Sequence, residues 1–130
     1  MRQLKSLCIA VMLALLSVGA AQAATVIPYD QAGFTQAQAE GKPILVHVNA
    51  SWCPNCAKQR PIIDQLAALP EFKDLIIMRV DFDSEKPIVR QFGVQMQSTL
   101  IVFHGKDERG RATAITDPAA IKALLEKAES

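Results

Sequence analysis

The chain has 130 residues, half of them hydrophobic, and its 14 basic and 13 acidic side chains leave a formal charge of only +1. No block of like charge occurs, which argues against a nucleic acid or an anionic membrane surface as partner. Three cysteines are present, too few for a disulfide-stapled scaffold, so the core must carry the fold.

The first element is a leader. Met1-Arg2-Gln3-Leu4-Lys5 precedes an apolar stretch over residues 7–21, and Ala21-Gln22-Ala23 closes it with small residues. A charged start, an apolar middle and an A-x-A end form a secretory signal peptide over residues 1–23, cut near Ala23-Ala24. An uncleaved anchor is the alternative, although the run is short for a membrane span. Cys8 sits early in the apolar stretch and reads as an ordinary leader residue. Cleavage leaves one domain, residues 24–130, and removing Arg2 and Lys5 shifts the charge from +1 to −1. The expected location is the periplasm or the medium.

Within the domain, Thr25–Ile27 can supply a short strand. Residues 31–41 predict a helix ended by Gly41 and Pro43. Ile44–Asn49 is a β-branched run suited to a buried strand. Residues 53–69 predict a long helix kinked at Pro61. Residues 75–82 form a second apolar strand, and Pro87–Phe92 a short helix closed by Gly93. Thr99–Phe103 and Ala112–Ile115 flank a glycine-containing connection, His104–Gly110, and read as a hairpin. Asp117-Pro118 gives an N-cap and a first-turn proline for a helix to about Ala128. Helix-linked crossovers imply a parallel strand pair and the hairpin adds antiparallel strands. The expected class is α/β, with a central mixed sheet of four to five strands and helices on both faces.

Two cysteines stand where the first buried strand turns into the long helix: Cys53-Pro54-Asn55-Cys56. A thiol at a helix start faces unpaired amides and the positive end of the helix dipole, which favour thiolate. A bridge between such near neighbours closes almost no loop, so the spacing suits chemistry better than stapling. The alternatives are a static disulfide or half of a zinc site, for which His47 and His104 are the only histidines that could help. Ala57 after Cys56, where histidine would be needed, rules out c-type haem attachment.

These residues resemble the thioredoxin superfamily over essentially all of residues 24–130. Lys42-Pro43-Ile44-Leu45-Val46 and Ala50-Ser51-Trp52-Cys53-Pro54-Asn55-Cys56 look like its active-site strand and helix. Arg79-Val80-Asp81-Phe82-Asp83 looks like the next strand, and Phe92-Gly93-Val94 with Thr99-Leu100-Ile101-Val102-Phe103 like the segment facing the thiols. The Gly-Lys-Pro before the strand is similar to secreted members, including the C-terminal domain of the DsbD reductant. The resemblance implies a thioredoxin-like fold and a thiol:disulfide oxidoreductase with no organic cofactor and no metal. Cys53 would attack and Cys56 resolve, with Trp52, Pro54, Gln97, Ser98 and Thr99 forming the substrate-binding surface. Its partners would be protein thiols and disulfides and a membrane-embedded redox protein, and the protein would be a monomer. Direction is not legible, although similarity to secreted reductants favours reductase. A non-catalytic binding module and a redox sensor stay as rival readings.

Three departures from the family pattern stand out. Ser98 occupies the position of the usual cis-proline before Thr99, so Gln97–Ser98 is either trans or cis under strain. Its hydroxyl could instead assist the Cys53 thiolate, or simply cap the strand. Without the proline the thiols could also be open to metal, such as an iron–sulfur cluster bridging two chains. His47 occupies the position of the family's buried acid; it either accepts the resolving thiol's proton or is a core histidine bonded to backbone. Arg79 replaces the lysine beside that acid and would keep His47 neutral.

Overall fold

The computed structural model describes residues 19–20 and 22–130. The leader, with Cys8, lies almost wholly outside the described residues. No helix among those described is long and apolar enough to cross a membrane.

The elements in chain order are β1 (Thr25–Pro28), α1 (Gln31–Ala39), β2 (Pro43–Asn49), α2 (Pro54–Ala67) and β3 (Ile76–Asp81), then α3 (Lys86–Gln91), β4 (Thr99–His104), β5 (Asp107–Thr113) and α4 (Pro118–Glu129). The sheet runs β1-β3-β2-β4-β5. β3 is parallel to both β1 and β2, whereas β4 is antiparallel to β2 and β5. This is the thioredoxin-like mixed sheet expected from the order of elements, with all five strands present.

Central β2 is buried from Pro43 to Val48 because strands flank it and helices cover both faces. Its side chains alternate between two cores. Ile44, Val46 and Val48 pack with Phe34 of α1, Val89 of α3, and Met78, Val80, Ile101 and Phe103. Leu45 faces the other way, with Ile63 of α2 and Ile121, Leu124 and Leu125 of α4. His47 shares the parity of Leu45 and so projects towards α2. Asp30 caps α1 by accepting from Gly33 N, and Asp117 caps α4 by accepting from Ala120 N.

Several boundaries differ from the sequence expectations. α1 stops at Ala39, and Gly41 takes a positive φ of 70° before β2 opens at Pro43 itself. Proline is acceptable there, at the first residue of a strand. The long helix ends at Ala67, and a short 3₁₀ turn, Pro70–Phe72, leads towards β3. α2 continues through Pro61, which leaves the Ala57 carbonyl without its usual partner. The largest correction is the hairpin. His104–Gly110 is not a connection: β4 reaches His104 and β5 begins at Asp107, with a register shift opposite Val102/Phe103. β5 is a polar edge strand, largely exposed, so it carries no apolar run to betray it.

Candidate active site

β2 delivers the chain to Ala50, and the turn that follows sets Cys53 as the N-cap of α2 in an extended conformation, with Pro54 at the first helical position. Cys53 Sγ takes the place of a capping oxygen and accepts from Cys56 N at 3.1 Å. The two cysteines are joined as a disulfide with their Cα atoms 5.2 Å apart. Cys53 is 2% exposed and Cys56 fully buried, packed with Ala50 and half-buried Phe82. Both cysteines are thus buried, with Cys53 marginally the more accessible of the two. A thiolate formed at Cys53 would inherit the amide of residue 56 and the dipole of a 14-residue helix.

Trp52, 58% exposed, stands beside the thiols, and its Nε1 donates to Asp83 Oδ2 at 2.7 Å. Asp83 is held in turn by Asp81, whose Oδ1 accepts from Asp83 N, Ser84 N and Ser84 Oγ. Those donors, Ser84's foremost, hold the Asp81 carboxyl below its ordinary value. Pro54 is exposed and Asn55 half-buried.

The segment 95–99 leads into β4, whose first residue, Thr99, pairs with Val48 near the end of β2. No cis peptide bond occurs among the described residues, and Ser98 has a φ of +58°, in the left-handed region. Its hydroxyl donates back to Gln97 O at 2.5 Å, so in this disulfide state it does not serve Cys53. Its carbonyl accepts from both Ala114 N and Gln59 Nε2. Thr99 Oγ1 donates to Met96 O and also meets Thr113 Oγ1 at 3.0 Å. Ser98 and Thr99 are buried, Gln97 is half-buried and Met96 is exposed.

His47 is fully buried and adjoins Arg79 in the β2–β3 register. Its pKa falls from 6.5 to about 4. Burial is the main cause, with the positive charges of Arg79 and Arg60 adding to it; the hydrogen bond to Gln59 and the charge of Asp64 oppose the fall. Arg79 thus contributes as the sequence suggested, but second to burial. Its own Nη2 binds Asp64 Oδ1 at 3.0 Å near the surface. The bland expectation, a histidine bonded to backbone, does not hold: Nε2 meets the side chain of Gln59 at 3.3 Å, and Nδ1 is buried with no partner among the described residues.

Gln59 belongs to no motif in the sequence. It is completely buried on the face of α2 that carries Cys56, Ile63 and Ala67. A polar residue on an otherwise apolar stripe was the available signal. His104, considered beside His47 for zinc, lies elsewhere: it pairs with Pro43 at the other end of β2, and its Nδ1 contacts Ala128 O. Among the described residues no group of three or more histidine, cysteine and acidic side chains gathers as a metal site would.

The profile of the thioredoxin family matches residues 25–127. The chain belongs to the thioredoxin family. It is 44% identical to the Edwardsiella tarda protein Trxlp, whose crystal structure superposes with a TM-score of 0.76 over 78% of this chain and 98% of that one. The thioredoxin of Chlamydia muridarum is 32% identical over 98 residues, covering 75% of this chain and 93% of that protein. Protein disulfide-isomerase erp38 of Neurospora crassa is 42% identical over 71 residues, 53% of this chain but only 19% of the isomerase. With these relatives and a bridged Cys-x-x-Cys pair at a helix start, the protein is a thioredoxin-like thiol:disulfide oxidoreductase.

Proposed function

We propose that this is an exported thiol:disulfide oxidoreductase acting on proteins in the reducing direction, fed with electrons by a membrane-embedded redox partner. The observation that carries the reading is Cys53 as the N-cap of α2, with Cys56 one turn inside and in covalent reach. Export rests on the leader pattern at residues 1–23. The reducing direction rests on the resemblance to secreted reductants. A membrane donor is the natural source of electrons, because an oxidising compartment holds no cytosolic thiol-reducing system.

In the proposed cycle the Cys53 thiolate attacks one sulfur of a substrate disulfide. That bond breaks, the first substrate thiolate leaves and takes a proton, and Cys53 is joined to the second substrate sulfur. Cys56 then loses its proton and attacks Cys53 Sγ. The mixed disulfide breaks, the second thiolate leaves and is protonated, and Cys53–Cys56 closes. Two electrons have passed from the dithiol to the substrate. His47 is the group assigned to receive the Cys56 proton, being neutral at physiological pH through burial. Trp52, Pro54 and half-buried Gln97 offer the surface for the substrate chain, with Ser98 and Thr99 buried behind it.

A binding module without turnover has one observation in its favour: the Gln97 and Ser98 carbonyls already accept bonds from within the protein. Insulin reduction separates the readings, with Cys53→Ser and Cys56→Ser as controls. The oxidoreductase reading predicts turnover by the wild type alone, and equal rates in all three proteins would end it. Equilibration with glutathione decides direction. A reductase should have a potential more negative than about −230 mV, whereas a value near about −120 mV would mark an oxidant.

A further inference from the structure

The side-chain amide of Gln59 is bonded at both ends. Nε2 donates to Ser98 O at 3.1 Å and to Ile115 O at 2.9 Å, while Oε1 faces His47 Nε2 at 3.3 Å. The amide cannot be turned over. Doing so would set its oxygen against two carbonyl oxygens, none of which carries a hydrogen. Oε1 is therefore an acceptor, and the ring nitrogen facing it must be the one that bears hydrogen.

We infer that Gln59 is a positioning residue: it holds His47 as the Nε2–H tautomer and so makes Nδ1 the nitrogen that receives the proton of Cys56. The inference rests on the exchange cycle proposed above and adds the group that orients its base. The opposite tautomer would be opposed at both nitrogens. Nε2 would turn a lone pair towards Oε1, and a buried Nδ1–H would have no acceptor among the described residues.

The arrangement also fits the proton's path. As Cys56 sulfur bonds to Cys53 Sγ and the mixed disulfide breaks, the Cys56 proton passes to Nδ1 and the substrate leaves as thiolate. Imidazolium then returns that proton to solvent or to the departing thiolate. Throughout, Nε2–H keeps its bond to Oε1, so neither side chain has to turn. That bond also works against burial and keeps the ring from becoming a still weaker base. The charged groups facing His47 are Arg79 from β3 and Arg60 and Asp64 from α2, while β4 sets Leu100 opposite it.

The test is nitrogen-15 NMR of the His47 ring, joined to single-turnover release of a peptide preformed as a mixed disulfide on Cys53. Near neutral pH the wild type should show Nε2–H alone. Gln59→Leu should give mixed tautomers and release the peptide at least about tenfold more slowly, with the alkylation rate of Cys53 unchanged. An Nδ1–H ring in the wild type overturns the inference, and so does a Gln59→Leu variant that keeps the single Nε2–H tautomer or the wild-type release rate. Should Gln59→Leu fail to fold, the wild-type ring alone decides. Failure of the exchange cycle itself would show differently, as a wild type inert towards insulin.

Discussion

His47 Nε2 and Gln59 Oε1 meet at 3.3 Å inside the protein, one turn of α2 away from Cys56. A strand and a helix are thus joined at the active site by a neutral polar pair where the family's pattern places an acid. The pair has thermodynamic consequences separate from catalysis.

The first concerns stability against pH. In the unfolded chain His47 should titrate near 6.5, whereas in the folded protein it does so at about 4. As pH falls between those values, the unfolded state takes up the proton first, so stability fully present above about 6.5 is progressively lost down to about 4. The gap corresponds to about 3 kcal/mol. Urea denaturation at a series of pH values should show His47→Leu gaining on the wild type across this window. A difference between the two that stays flat with pH would contradict a buried neutral ring.

Ser98 gives a prediction of opposite sign for two substitutions. Its φ of +58° is costly for a residue with a Cβ and forbidden to proline, whose ring fixes φ near about −65°. Ser98→Gly should leave stability within about 1 kcal/mol of the wild type or raise it. Ser98→Pro, which installs the family's usual residue, should lower it by more than about 2 kcal/mol, because Ala114 N and Gln59 Nε2 both bond to the carbonyl of this strained residue. Chemical denaturation measures both, and a proline variant as stable as the wild type would show that the segment is not held in the left-handed form.

Trp52 is the chain's one tryptophan, so intrinsic fluorescence reports on it alone. Asp83→Ala removes the acceptor of its Nε1–H. Both side chains are exposed, so global stability should change by less than about 1 kcal/mol. The indole should gain mobility, seen as lower fluorescence anisotropy, and kcat/KM towards protein disulfides should fall by roughly threefold through poorer positioning of the platform. Unchanged anisotropy would mean that packing, and not Asp83, holds the ring.

Legibility in the sequence followed the strength of the local signals. β2 and α2 declare themselves, the one by an unbroken apolar run and the other by Cys53-Pro54 at its start, so the thiols are placed correctly from sequence. β5 leaves no such signal, because Asp107–Thr113 lies exposed at the sheet edge, where alternation with an apolar face is not needed. The departure at Ser98 is visible as a missing proline, but its left-handed backbone depends on hydrogen bonds from Gln59 and Ala114, far away in the chain. Gln59 is inconspicuous in the sequence because a glutamine in a helix ordinarily faces water. Only the fold reveals two carbonyls and an imidazole waiting for its amide.

The most direct test of the central claim, that Cys53 attacks and Cys56 resolves, is mass spectrometry of the two single-serine variants after exposure to a disulfide-containing protein. Cys56→Ser should accumulate a stable mixed disulfide at Cys53, and Cys53→Ser should accumulate none. Adducts forming equally on both variants, or only on Cys53→Ser, would contradict the assignment.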